Sequence, residues 1–346
     1  MIYNHNMNKC RNCGGRIRFS PLDKANKCDS CSKTYPIKYD YMLEKNNYLE
    51  NSNIPLAELK DARKIKCNSC GANVILKKHE AQAVCPYCSS SEIIVELPEG
   101  MNKVDSIIPF TIDNVGAFET VKNAINKSFF ANKSIIKTLR KEDLVGIYAN
   151  SIVFDIDSQN KYKGILYKNV VRKNSDGSQT TTTKPFPVAG TMDYNADNIV
   201  IEANYNITQR DMDSISPYDH KEKVKFENDF MNGYLLEYQD KDISTAYENA
   251  NSIIKNRVKN MIVRKYNADG ITTLTIDTEI KEAKYEHSLL PIYTILAHHK
   301  NKDYRILMNG QTGKVSNIPK SGLKIFGLVT GILAFIGIII VLSMVF

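Results

Sequence analysis

The feature that most constrains this chain is a cysteine spacing written twice. Cys10-Arg11-Asn12-Cys13 is followed fourteen residues later by Cys28-Asp29-Ser30-Cys31, and Cys67-Asn68-Ser69-Cys70 fourteen residues later by Cys85-Pro86-Tyr87-Cys88. Each cysteine of the second set is its counterpart plus 57, and the two sets use all eight cysteines of the 346-residue chain. Gly14 and Gly71 follow the leading pairs, and Ile17 and Val74 stand four residues past them. This is a duplicated module, and a repeat of this kind has to be settled before any other element.

Two C-x-x-C pairs at this separation have the ligand spacing of a structural zinc site. Two residues between ligands let a tight turn aim both sulfurs at one ion, and the glycine after the turn accepts a positive φ. Four thiolates close the tetrahedron and leave no position for water or substrate. A disulfide framework is the competing reading, and it is disfavoured because Met1 to Arg18 has scattered charges and no apolar signal segment. A ribbon of about thirty residues cannot bury enough surface to fold alone, so metal binding and folding are expected to be one event. Cys10, Cys13, Cys28, Cys31, Cys67, Cys70, Cys85 and Cys88 are therefore assigned to two structural zinc ions. On this reading Cys70→Ser unfolds only the second ribbon.

Charge adds a weaker constraint. The formal net charge is +8, and two tetrathiolate zinc sites, each at −2, bring it to about +4. Residues 9–33 hold seven Lys/Arg against two Asp. That is a mild basic bias and not the dense patch of a dedicated nucleic-acid binder.

The segmentation follows from these ribbons. Residues 7–40 form ribbon 1, closed by a strand over Thr34 to Tyr39. Residues 41–63 are a polar, Asn-rich linker ending in a short helix over Leu56 to Lys64. Residues 64–97 form ribbon 2, closed by a strand over Glu92 to Leu97. Residues 101–320 read as an α+β domain, an antiparallel sheet with packed helices and internal duplication. Ile107-Ile108-Pro109-Phe110 is a short strand before an Asp113-capped helix, and Tyr234-Leu235-Leu236 is a similar strand before a helix capped by Asp242. Gly146-Ile147-Tyr148 corresponds to Pro291-Ile292-Tyr293, and a turn at Asn160-Lys161-Tyr162 to one at Asn301-Lys302-Asp303-Tyr304. A hairpin turns at Ser175-Asp176-Gly177 and returns through Thr180 to Thr183, read as an exposed strand face.

The last stretch, Ile325 to Phe346, has 22 residues and no charge. At 1.5 Å per residue it spans about 33 Å, enough for a transmembrane helix over 323–346. Lys314, Lys320 and Lys324 flank it on one side, so the expectation is a single-pass anchor in the cell membrane, with the N-terminal body in the cytoplasm.

Catalytic chemistry is not legible. Asn309-Gly310-Gln311-Thr312-Gly313-Lys314 lacks phosphate-loop spacing and reads as a hairpin turn. His298 and His299 would point to opposite faces of a strand. Asp155 and Asp157 share a face and read as solvated. No Ser/His/Asp or Cys/His arrangement is readable, since every cysteine is already a ligand.

With these motifs in hand, the chain resembles a bacterial family of membrane-anchored, TFIIB-type double zinc-ribbon proteins, sometimes labelled primosomal-helicase-like. The resemblance runs through the two ribbons, Ile107 to Phe110, Leu289 to Tyr293, Asn309 to Lys314, Pro319 and the apolar C-terminus. Tyr293 stands where the family often has Trp. The resemblance implies company with flotillin-like (SPFH) or phage-shock-protein-A-like partners. The expected function is a non-enzymatic membrane-anchored adaptor that positions protein partners at the bilayer, in a membrane-stress system. The alternative is a membrane-tethered nucleic-acid-binding protein using Arg11, Arg16, Arg18, Lys24 and Lys27 of the ribbons.

Overall fold

The computed structural model describes residues 9–41, 45–48, 56–57, 62–77, 85, 87, 93–96, 101–175, 177–237, 239, 241–299 and 302–321. Ribbon 1 is a three-stranded antiparallel sheet of β1 (Ile17–Ser20), β2 (Ala25–Cys28) and β3 (Thr34–Pro36). The linker holds β4 (Asn46–Asn47) and β5 (Leu56–Ala57), and β6 (Ala62–Cys67) follows where the end of a helix was expected. At the described positions of the helix expected over Leu56 to Lys64, residues 56–57 and 62–64, the backbone is strand. β6 pairs with β7 (Asn73–Lys77) on one side and with β8 (Ile93–Glu96) on the other, while β9 (Met101–Asn102) pairs with β5.

The body opens with β10 (Ser106–Ile107) and α1 (Asn114–Lys127), whose N-cap Asp113 accepts from Gly116 N–H at 2.8 Å. Two very long strands follow, β11 (Leu144–Lys173) and β12 (Gln179–Glu202), then α2 (Gln209–Ile215), β13 (Val224–Lys225) and β14 (Leu235–Glu237). The chain continues through α3 (Ile243–Lys265), β15 (Gly270–His299), β16 (Lys302–Asn309) and β17 (Val315–Ser316).

The centre of the sheet is β12-β11-β15-β16, all antiparallel. Two short strands are exchanged across it. β10 pairs in parallel with β15 (Ile107 beside Leu289), and β14 pairs in parallel with β11 (Leu235 beside Ile147). On one face α1 packs Ala117, Val121 and Ile125 into a cluster where Phe110 stacks on Tyr234 at 4.0 Å, beside Tyr148 and Tyr293. Further along the same sheet α3 packs Ala250, Ile254, Val258 and Ile262 against Phe154, Ile156 and Tyr162.

The α+β expectation is corrected: the body is mostly β-sheet, one twelve-stranded sheet with three α-helices among the described residues. The expected turn at Asn160-Lys161-Tyr162 lies in the middle of β11. Asn160 is fully buried and donates to Ser158 Oγ and the Met192 carbonyl, while Thr278 Oγ1 donates to it at 2.8 Å. A residue that favours turns is held in strand by bonds from both neighbouring strands.

The membrane-anchored architecture is corrected as well. Among the described residues no helix is long and apolar enough to cross a membrane. The expected span Ile325 to Phe346 lies outside the described residues. The single-pass anchor and the cell-membrane placement rested on that segment alone and are withdrawn.

Candidate metal centres

Each ribbon begins with the same backbone knuckle. Cys10 N–H donates to Gly15 O at 2.7 Å and Gly14 N–H returns to Cys10 O at 2.8 Å; in ribbon 2, Cys67 N–H donates to Ala72 O at 2.8 Å and Gly71 N–H to Cys67 O at 2.9 Å. The turn closes only with a positive φ, and Gly14 (73°) and Gly71 (76°) supply it. The second knuckle of ribbon 1 uses Cys28 N–H to Lys33 O at 2.9 Å and Ser32 N–H to Cys28 O at 3.0 Å.

These turns bring the sulfurs together. Cys10, Cys13, Cys28 and Cys31 form one cluster, and Cys67, Cys70 and Cys85 a second, with ligand atoms within 4.8 Å of one another. Cys88 lies outside the described residues. The Sγ separations are 3.5 Å for Cys10–Cys31, 3.5 Å for Cys13–Cys28 and 3.7 Å for Cys70–Cys85. A disulfide would need about 2.05 Å. Four sulfurs at about 2.3 Å from a common centre stand about 3.8 Å apart, so the clusters have the size of a tetrahedral S4 metal site.

The electrostatics point the same way. The Tyr35 hydroxyl, 3.1 Å from Cys10 Sγ, pulls that thiol down to about 6. Cys13, despite the opposing Gly15 amide, is pushed up to about 12 by its neighbours Cys31 and Cys28. Four thiolates cannot all ionise at this distance without a cation, and a dication would ionise all four. Both clusters could therefore hold a metal ion. The donor set, sulfur alone, suits a soft or borderline ion held structurally.

The ribbons are built into the body. β7 of ribbon 2 hydrogen-bonds β14, placing Leu236 opposite Ile75 and Glu237 opposite Val74. Between the last two cysteines, Tyr87 is buried and donates its hydroxyl to Glu237, itself fully buried. Asn206 N–H also donates to Glu237 at 3.2 Å. Burial pushes the Glu237 carboxyl up to about 7, against the hydrogen bonds from Tyr87 and Asn206. The Arg305 guanidinium lies over the Tyr87 ring at 5.3 Å and donates to Asn206 O at 3.1 Å.

Ribbon 1 is joined by Phe19, whose N–H donates to Asn232 O at 2.8 Å and whose ring meets Phe230 edge-on at 5.5 Å. An open cleft of about 410 Å³ remains between ribbon 1 and the start of α1, with Arg18, Lys27, Asp113, Val115 and Tyr234 in its wall. Val115 and nearby Leu22, at the β1–β2 turn, are exposed apolar side chains.

The segment between the ribbons is also tied down. Lys45 Nζ meets Asp155 at 2.5 Å and Glu286 at 3.7 Å, and Tyr48 stacks on Tyr247 at 4.1 Å. Asp155, read as solvated, is instead half-buried and also accepts from Asn198 N–H at 2.8 Å. His298 and His299 diverge as expected, to Asp303 and Ser134 respectively. Asn309 to Lys314 is the β16–β17 turn, with Gly313 N–H donating to Asn309 O at 2.9 Å. Sequence reasoning missed Glu237 and Tyr87. A tyrosine inside a C-x-x-C knuckle, where ribbon 1 has Asp29 and Ser30, was the only local signal for either.

Fold and site together define a double cysteine-ribbon protein on a β-rich body. No protein-family model matches the chain, and no solved structure matches it. It is similar to a Bacillus subtilis (strain 168) protein described as uncharacterized protein YdjG, at 23% identity over 316 residues, covering 90% of this chain and 89% of that one.

Proposed function

We propose that this protein is a non-enzymatic adaptor whose two cysteine clusters each hold a structural zinc ion, and whose ribbons present a docking surface to a protein partner. Cys88 completes the second site. The observation that carries the reading is the rigid seating of both ribbons on the body, which leaves a partly apolar cleft beside ribbon 1. Closed tetrathiolate sites offer a metal no open position for catalysis, so their contribution is shape. Resemblance to double zinc-ribbon proteins suggests flotillin-like or phage-shock-protein-A-like partners.

The ribbons are less suited to nucleic acid. Two of the five cations that reading needs are already paired, Arg18 with Asp29 at 2.8 Å and Lys27 with Asp23 at 2.9 Å. The test is affinity purification of the full chain, with and without nuclease, alongside Leu22→Asp/Val115→Asp. A nuclease-resistant protein partner lost in the double variant, with metal content kept at two per chain, supports the adaptor. A partner retained by the variant, or none at all, overturns it.

A further inference from the structure

Beyond residue 167 the three-stranded centre of the sheet becomes a two-stranded arm. β15 begins at Gly270, opposite Tyr167, so Lys168–Lys173 and Gln179–Lys184 pair only with each other. At about 3.3 Å per residue this ribbon projects about 20 Å, and a two-stranded ribbon alone is marginally stable in water. Lys168 and Lys184 are direct cross-strand partners on one face, and Arg172 is on that face too. Like charges placed opposite one another cost stability. Lysines that merely guard an edge strand need no such pairing.

The same face continues onto α3. Lys168 Nζ lies 5.9 Å over the Phe186 ring, Phe186 packs on Tyr266 at 6.5 Å, and Tyr266 follows the last residue of α3. The helix exposes Lys255, Arg257, Lys259, Arg264 and Lys265. The last two also suit the negative end of the helix dipole, but the other three lie further back. Among the described residues none of these eight cations has a carboxylate partner, and three of them, Lys168, Arg257 and Lys265, lie against aromatic groups instead. Arg257 donates to the Tyr194 hydroxyl at 3.4 Å and Lys265 to that of Tyr162 at 3.1 Å. Around them Asp269 is engaged by Asn169 N–H at 2.7 Å.

We infer that this arm and helix form a binding surface for double-stranded DNA. A two-stranded β-ribbon has the cross-section of the B-form major groove, and A-form RNA presents a groove too narrow for it. On that face Thr180 and Thr182 could meet base edges, while the cations of α3 meet the flanking phosphates. This surface is separate from the cleft beside ribbon 1, so the DNA assignment stands or falls independently of the adaptor reading.

The test is fluorescence anisotropy of the metal-loaded full chain with a 20-bp DNA duplex, a matched RNA duplex and vesicles of anionic phospholipid. If about six phosphates are contacted, log K should fall with log salt at a slope of about −5. Lys168→Glu/Arg172→Glu/Lys184→Glu, all at exposed positions, should lower DNA affinity at least tenfold and flatten that slope by about 3. Lys133→Glu/Lys137→Glu, on the far side of the body from the arm, should change affinity less than twofold. No DNA binding at low salt, binding unmoved by the triple variant, or a preference for the RNA or the vesicles would each overturn the assignment.

Discussion

Two kinds of residue control this structure, and they differ in how far their causes reach. Gly14 and Gly71 act locally: each knuckle needs a left-handed residue, which costs an L side chain about 1–2 kcal/mol. Gly14→Ala and Gly71→Ala should each destabilise by that amount, read as a lowered denaturant midpoint and weaker zinc retention in chelator competition. Glu237 acts through the whole fold. Its carboxyl is raised by burial to about 7 from an unfolded value near 4.5, so the native state binds the proton more tightly than the unfolded chain. Stability from this group is therefore greatest at low pH and is lost as pH rises through about 7. The difference between wild type and Glu237→Gln, measured by urea unfolding, should change by a few kcal/mol between pH 5 and pH 8, with wild type losing ground at the higher pH. A difference independent of pH would show that Glu237 ionises as an ordinary surface carboxylate. The cysteines were legible from sequence because a metal imposes short, fixed spacings. Glu237 was not, because its burial depends on Tyr87 and Asn206, which are distant in the chain.

At the scale of elements, the ribbons had read as separate modules joined by a linker; the structure takes ribbon 2 and the linker's β4 into the large sheet, and packs ribbon 1, a separate three-stranded sheet, against the body through Phe19. β7 hydrogen-bonds β14, so Cys70→Ser should do more than unfold ribbon 2. Hydrogen exchange should also accelerate at Leu235–Glu237, and the whole chain should melt lower; protection unchanged there would show the junction carries no load. The linker's Tyr48 stacks on Tyr247 and meets Phe154 and Tyr285 edge-on. Tyr48→Ala should cost about 2 kcal/mol, seen as a shift in the urea midpoint with no loss of metal. The linker looked free because its residues are polar and rich in Asn, yet β4 needs only two residues to pair with Lys284 and Tyr285. The long strands were fragmented in the sequence reading for a related reason. Asn160 signals a turn by composition, and only neighbouring strands, absent from any local window, show that its amide is satisfied in extended backbone.

For the whole molecule, these junctions predict a single cooperative transition. Calorimetry of the metal-loaded chain should show one peak, and metal removal should shift it down as a unit and not split off a minor ribbon transition. The exchanged short strands have a further consequence, which concerns synthesis. Ile107 finds its partner Leu289 only after roughly 180 further residues have been made, a wait of roughly ten to forty seconds on the ribosome. Until then the first half exposes an unfilled sheet edge, and its own long strand is closed by β14 and β15 from the second half. A chain with so many distant pairings has a high contact order and should fold slowly, with the nascent first half dependent on chaperones.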